Sequence, residues 1–331
     1  MNALFALISA RNIEFFRDRS ALGWSLLFPI IIVVALVLVF DDDNSTLYQV
    51  GVYGDATGYS AQLDTLKSIK HIEIIYYQDL EEAKHKVSRH LIDGLVSGDN
   101  YWVNPDSAQG YILEQVILGK LPELQKSAIT GKAVRHVEWL LPGIIGMNMM
   151  FSALYGVGYV VVRYRRTGVL KRLKVTPLSA WQFLASQLLS RLGATVLSAI
   201  IVFAVIALMF DIRSQGNVLL LVLNTLLGSA AMISIGLLVA SRTCSDELCN
   251  GLLNVISWPM MFLSGIWFSL EGSTPWVRFL ADCLPLTHMN DANRAVIIDG
   301  AGFFDIGDHL LFLVAIILVC LGAASRSFRW D

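Results

Sequence analysis

Residues 218–240 read VLLLVLNTLLGSAAMISIGLLVA, 23 residues without a single charge. A helix that crosses a bilayer needs about 20 mostly apolar residues, because the hydrocarbon core is roughly 30 Å thick and each residue rises about 1.5 Å. This stretch meets that requirement, and comparable runs occur at about 140–162, 187–209, 250–268 and 303–323. A further run, 21–40, has Trp24 at its start and Pro29 as a candidate kink, and it stops at Asp41, Asp42 and Asp43. Six spans are thus expected. The whole chain agrees: 331 residues, 55% apolar and 16% charged, with a mean hydropathy of +0.59, are too apolar for an ordinary soluble domain.

Residues 1–20 place Leu4, Phe5, Leu7, Ile8, Ile13, Phe15 and Phe16 among Arg11, Glu14 and Arg17. That spacing predicts an amphipathic helix in the membrane interface, the alternative being a frayed start. Arg11, Arg17 and Arg19 precede an apolar run of spanning length with no small-residue cleavage site after it, so the first run is expected to stay as a helix and not to be a removed signal.

Residues 41–139 change character. Strands are expected at 49–53, 72–76 and 92–96, with helices at 59–68, 79–91 and 107–132, which makes a small domain of alternating elements outside the bilayer. Basic residues orient the whole. Three arginines precede span one, and Arg163, Arg165, Arg166, Lys171, Arg172 and Lys174 follow span two. Arg242 follows span four, and Arg326 and Arg329 follow span six, whereas the opposite short loops hold only Arg213, Arg278 and Arg294. By the positive-inside rule both termini are cytoplasmic and 41–139 is extracytoplasmic. The expected fold is a membrane protein with an all-α six-helix transmembrane domain and a small α/β extracytoplasmic domain inserted after the first span. Its parts are an interfacial helix 1–20, a span 21–40, the outer domain 41–139 and a five-helix transmembrane domain 140–331.

Some classes of function are excluded at once. A net charge of −2 argues against nucleic acid as a partner. Four cysteines are too few for a disulfide framework, and the topology separates Cys283 from Cys244, Cys249 and Cys320. The six histidines form no His-Glu-x-x-His or Cys/His cluster, so no metal site is expected, and no Gly-x-Ser-x-Gly elbow occurs.

The loop after span two reads RYRRTGVLKRLKVTPLS from Arg163 to Ser179. Thr176 is a candidate N-cap with Pro177 at the first helical position, giving a helical extension, a break and a new helix. A basic hairpin of this kind is also what a topology anchor on anionic headgroups looks like. This loop resembles the R-x-R-x-x-G-x-L-x-R-L-x-x-T-P-x-S signature of the type-2 ABC transporter permeases of bacterial exporters. Leu141-Pro-Gly-Ile-Ile-Gly-Met147 resembles the same family's opening of span two. Pro275-Trp276, Leu284 to His288 and Arg294-Ala-Val296 resemble its short helices that dip in from outside, here 270–300. The resemblance covers nearly the whole chain and departs at Arg165 and Thr167, where many members carry acidic residues.

The resemblance implies a permease of the bacterial inner membrane, a cytoplasmic ABC ATPase that binds ATP and magnesium, and a second permease copy or paralogue. It allows a periplasmic adaptor and contact with membrane lipid, and it implies that the cytoplasmic loop 163–180 is a coupling element. This chain is expected to bind no cofactor, since neither Gly119-Lys120 nor Gly131-Lys132 has the earlier glycine or the Ser/Thr of a phosphate-binding loop. The residues expected at the ATPase contact are Arg163, Arg166, Leu170, Arg172, Leu173 and Thr176. Polar or pliable residues at lipid depth are candidates for a translocation path: Asn148, Met149, Asn254, Ser257 and Met261, with Asn224 beside them. Helix packing through small residues such as Gly228, Ser229, Ser234 and Gly236 is the plainer reading of each. Tyr101, Trp102 and Tyr111 are either adaptor contacts or core of the outer domain. A membrane-embedded enzyme and a receptor are the rival classes; no catalytic constellation supports the first, and the cytoplasmic segments are too short for a signalling domain.

Overall fold

The computed structural model describes residues 3–17, 23, 26–34, 48–53, 72–89, 92–98, 100–104, 107–121, 124–129, 136–210, 214–242, 245–267 and 274–330. The expected helix at 59–68, the end of the first span and the acidic run at 41–43 lie outside them. The chain divides into two compact units, Met1–Val39 with Val137–Leu270 and Thr274–Asp331, and Phe40–His136 with Glu271–Ser273.

The smaller unit is built on β1 (Tyr48–Tyr53), β2 (Ile72–Tyr77), β3 (Gly94–Ser97), β4 (Asn100–Val103) and β5 (Gln125–Ala128), with α2 (Leu80–Ser88) and α3 (Ala108–Lys120). The sheet order is β2-β1-β3-β4-β5, with only the β3/β4 pair antiparallel. Alternation along the strands makes two cores: Val50, Val96, Tyr101 and Val103 meet Leu113 and Ile117 of α3, while Ile75 and Leu95 meet Ala83 and Val87 of α2. Two elements differ from expectation. The helix expected at 107–132 stops at Lys120, since Pro122 cannot continue it, and β5 follows. β4 was not foreseen; Ser97 pairs with Asn100, and Gly98, which follows Ser97, takes φ 59°. Tyr101 is core, its hydroxyl donating to the buried Glu114, which also pairs with Lys126 at 2.6 Å. Tyr111 is exposed.

The larger unit is helical: α1 (Ala3–Arg17), helical residues 26–34, α4 (His136–Arg166), α5 (Val169–Lys174), α6 (Ala180–Phe210), α7 (Val218–Arg242), α8 (Asp246–Leu263), α9 (Pro275–Asp282), α10 (Pro285–Arg294) and α11 (Gly307–Ser327). A π-helical turn, Ala295–Asp299, follows α10. Among the described residues, four helices are long and apolar enough to cross a membrane: Glu138–Arg166, Ala180–Phe210, Val218–Arg242 and Gly307–Ser327. α8 falls short for a physical reason. Its 18 residues reach only about 27 Å at 1.5 Å per residue, its first turn carries Asp246 and Glu247, and the chain breaks at Gly265, φ 63°. α6 and α11 keep apolar side chains such as Leu197, Leu208, Leu311 and Leu318 exposed, as helices bathed in lipid do.

Small residues decide where these helices touch. A Cβ on Gly236 of α7 would stand 3.0 Å from the Leu154 carbonyl oxygen of α4, and one on Gly228 would stand 2.2 Å from the Met289 sulfur of α10. The same face of α7 carries Asn224, whose amide donates to the Met289 carbonyl and to Asn293 Oδ1, both at 2.9 Å. Asn224 is therefore a packing residue for α10. Arg294 closes the other end of α10: it donates to the Trp139 and Gly265 carbonyls at 3.2 and 2.6 Å and lies 4.2 Å from the Trp139 ring. Cys249, Cys283 and Cys320 are unbridged.

Candidate functional site

The segment between α4 and α6 is a basic helical hairpin. α4 ends where Thr167 hydroxyl donates to the Arg163 carbonyl at 2.9 Å and Gly168 takes φ 75°, a left-handed stop that glycine adopts without a Cβ clash. α5 then turns Leu170 fully inward, half-buries Leu173 and leaves Lys171, Arg172 and Lys174 exposed. Thr176 does not cap the next helix; its hydroxyl donates back to the Leu173 carbonyl at 2.6 Å. The cap is Ser179, whose Oγ accepts from the Gln182 N–H at 3.2 Å while Gln182 Oε1 accepts from the Ser179 N–H at 3.0 Å. This reciprocal box moves the start of α6 past Pro177, to Ala180. Val175, 87% exposed, stands at the tip.

Three arginines fasten the hairpin to the rest of the unit. Arg165 is buried and donates to the carbonyls of Ala240, Ser241 and Arg329 at 3.1, 3.1 and 2.8 Å, binding α4 to the end of α7 and to the C-terminal segment. There Phe183, Phe328 and Trp330 form an aromatic cluster with centroids 5.0 to 5.9 Å apart. Arg163 pairs with Glu14 of α1, and Arg166 with Asp246 of α8. Of the six residues expected at an ATPase contact, Arg163 and Arg166 are exposed but ion-paired within the unit, Leu170 is core, Leu173 is half-buried, and Arg172 and Thr176 are exposed. Glu14 is well held: burial alone would raise its carboxyl, but hydrogen bonds from Tyr164 and Arg11 and the charges of Arg11 and Arg163 keep it below the ordinary carboxylate range.

The lipid-depth candidates separate into two groups. Asn148 and Met149 are buried in the core of the unit with Met147 and Met150, so the methionines of α4 are packing. Asn254 and Ser257 of α8 face α4, where the Tyr155 hydroxyl donates to Asn254 Oδ1 at 2.5 Å and lies 3.1 Å from Ser257 Oγ. Met261 is half-buried one turn on, and Trp258 and Phe262 stack outward, both about half exposed. Tyr155 also belongs to a ladder, Phe151–Tyr155–Tyr159, with centroids 5.9 and 5.8 Å apart. The ladder walls a cleft of about 560 Å³ that Arg11, Arg17, Arg163 and Arg191 also line. Sequence reasoning passed over Tyr155 and Arg191. The signal for Arg191 was available, since it is a lone charge inside the run 187–209.

Residues 19–326 match the family model described as ABC-2 family transporter protein. The chain is similar to the probable multidrug ABC transporter permease YbhR of Escherichia coli, 24% identical over 193 residues, 58% of this chain and 52% of that protein. It is similar also to the daunorubicin resistance ABC transporter permease protein DrrB1 of Streptomyces coeruleorubidus, 26% identical over 209 residues, 61% and 72% of the two chains. A third relative is the inner membrane transport permease YhhJ of Escherichia coli, 24% identical over 170 residues, 51% and 46%. The chain spans about half the length of YbhR and of YhhJ in these matches. All three are named permeases, which supports a transport subunit and not an enzyme. With a family model covering nearly its whole length and helices apolar enough to span a bilayer, the chain belongs to the ABC-2 family of transporters as a membrane-embedded permease.

Proposed function

We propose that this chain is the permease subunit of an ABC exporter of the bacterial inner membrane, driven by ATP hydrolysis in a separate cytoplasmic ATPase that binds ATP and magnesium. Two permease copies, or this chain and a paralogue, complete the pore. Each contributes six spans: residues 21–40, the four helices of spanning length, and α8 continued to the turn at Gly265. Both termini lie in the cytoplasm, and the sheet unit lies outside, where it is available to a periplasmic adaptor. The cargo is an amphiphilic, lipid-like or drug-like molecule, a reading supported by the words multidrug and daunorubicin resistance in the names of two relatives.

The observation that carries this proposal is the α4–α5–α6 hairpin. Its tip presents Lys171, Arg172, Val175 and Thr176 to solvent, while Leu170 and Arg165 root it in the helical core. A push on such a tip moves α4 and the first turns of α6 as one body, and these helices carry Tyr155 and Arg191 to the cleft. Arg163, Arg166 and Leu173 support the tip, and Asn254, Ser257 and Met261 line the path that opens beside α4.

Purification of the tagged chain from mild-detergent membranes, with mass spectrometry and an ATPase assay, tests the reading. A stoichiometric Walker-motif subunit is expected, and Lys171→Glu with Arg172→Glu is expected to abolish its recovery. A solitary chain without ATPase, or full recovery in the variant, overturns the proposal and leaves the loop as a lipid-facing anchor.

A further inference from the structure

Arg191 lies well inside α6, one of the helices of spanning length. A charge at that depth is costly unless it faces protein, water or a headgroup. Its Nε and one terminal nitrogen donate to the Ser152 carbonyl at 3.0 and 2.7 Å, and the same nitrogen donates to Ser152 Oγ at 2.7 Å. The guanidinium carbon lies 4.9 Å from the Phe15 ring of α1. Room for it is built in, since a Cβ on Gly156 would stand 2.2 Å from that carbon. These contacts leave the Nη1 donors for another partner, and the side chain borders the cleft of about 560 Å³ between α1, α4 and α6.

The cleft is lined by arginines and is aromatic along one wall. Arg11, Arg17 and Arg163 line it with Arg191, and Glu14 is the single carboxylate among the lining residues. That carboxylate is already shared between Arg11, Arg163 and the Tyr164 hydroxyl. The ladder Phe151–Tyr155–Tyr159 rises beside the arginines, and Tyr155 bonds to Asn254 and Ser257. An anionic group needs the first feature and a hydrocarbon chain needs the second; guanidinium groups favour phosphate oxygens in particular.

We infer that this cleft binds the phosphate group of an anionic amphiphile, with Arg191 donating to its oxygens, the other lining arginines adding positive charge, and its hydrocarbon lying along the ladder. The inference rests on the membrane setting alone and stands whether or not an ATPase partner is found.

The test is native mass spectrometry of the full chain in a non-ionic detergent, offered equimolar phosphatidylglycerol and phosphatidylcholine with identical acyl chains. The chain is expected to retain phosphatidylglycerol preferentially, and Arg163→Gln with Arg191→Gln to cut that retention about tenfold while lowering phosphatidylcholine retention less, since choline offsets the charge of the same phosphate. Tyr159→Glu, at a position 38% exposed, is expected to do the same by repulsion with every arginine in place. Equal retention of the two lipids by the unaltered chain overturns the inference, and so does an unchanged preference in Tyr159→Glu, whatever the arginine variant does. Millimolar inorganic phosphate that displaces phosphatidylglycerol assigns the site to a free phosphate and overturns the amphiphile, and failure to displace it upholds a lipid-borne one.

Discussion

Tyr155 on α4 donates its hydroxyl to Asn254 on α8 at 2.5 Å, so the two helices are joined by a polar contact between segments 99 residues apart in the chain. Ser257 stands 3.1 Å from the same hydroxyl, and Asn254 also receives support from its own amide, which donates to Asn250 at 3.4 Å. The remainder of α8's inner face is apolar, Leu253 and Met260 being fully buried. The hydroxyl is thus the polar contact at mid-helix, with the Arg166–Asp246 pair at the start of α8 and Gly158 packed against Leu253 between them.

The first prediction follows from that contact. Tyr155→Phe and Asn254→Leu are each expected to cost about 1 kcal/mol, the net value of one hydrogen bond. The double variant is expected to cost less than the sum, with a coupling close to that same magnitude. Unfolding of the four proteins in detergent measures it, and strictly additive losses would show that the hydroxyl and the amide act independently.

Glycine at 146 is fixed by α10. A Cβ there would stand 2.3 Å from Asn290 Oδ1 and 2.8 Å from the Met289 methyl, both on a helix whose inner face is fully buried. Gly146→Ala is expected to destabilise by roughly 1–3 kcal/mol, since neither side chain has space to retreat. Gly193 of α6 has nothing within 4 Å of the same atom, so Gly193→Ala is expected to stabilise by about 0.5–1 kcal/mol through reduced backbone entropy. Thermal unfolding of the two variants is expected to move in opposite directions.

The Glu14 carboxyl, held below its ordinary range, makes the docking of α1 sensitive to acid. A group whose pKa is depressed by folding adds stability above its unfolded value, and that stability is lost as the pH falls through the folded value. Hydrogen exchange of α1, corrected for intrinsic rates, is expected to stay slow at neutral pH and to accelerate below the ordinary carboxylate range. Glu14→Gln is expected to remove that step, with α1 loosened at every pH.

Legibility differed between spans, caps and long-range pairs for identifiable reasons. The runs at 187–209 and 218–240 fall within α6 and α7 because lipid depth demands continuous apolar sequence, which composition alone displays. Helix ends in water obey other rules. α6 begins at Ala180 because Ser179 and Gln182 cap it, a Ser-x-x-Gln pattern that competed in the sequence with the neighbouring Thr-Pro. The β3–β4 hairpin was foreshadowed by the turn-forming run Ser97-Gly98-Asp99-Asn100 between Val96 and Tyr101, but strands of four residues carry too little period to stand out. Asn254 and Ser257 were readable as polar residues at depth, whereas Tyr155 resembles any interfacial aromatic until the helix opposite it is known. The partners of Arg163 and Arg166 were not readable at all, since Glu14 and Asp246 lie 149 and 80 residues away.

Those two ion pairs give the last prediction. Arg166 and Asp246 are both substantially exposed, so their pairing adds little to stability, and a variant that breaks it should unfold at nearly the same temperature. Its effect belongs to force transmission, because Arg166 is where the base of the hairpin meets the first turn of α8. If the pair is a strut, Arg166→Glu alone places like charges together and lowers transport-coupled ATP hydrolysis in the reconstituted transporter. Adding Asp246→Arg then restores the attraction with reversed polarity and recovers most of the coupling, at the modest cost of a cation near a helix N-terminus. If Arg166 instead meets the ATPase directly, the second substitution recovers nothing, since the charge presented to the partner stays reversed. Recovery is the expected result, and it would assign the ATPase contact to the exposed tip around Arg172 and not to the base of the hairpin.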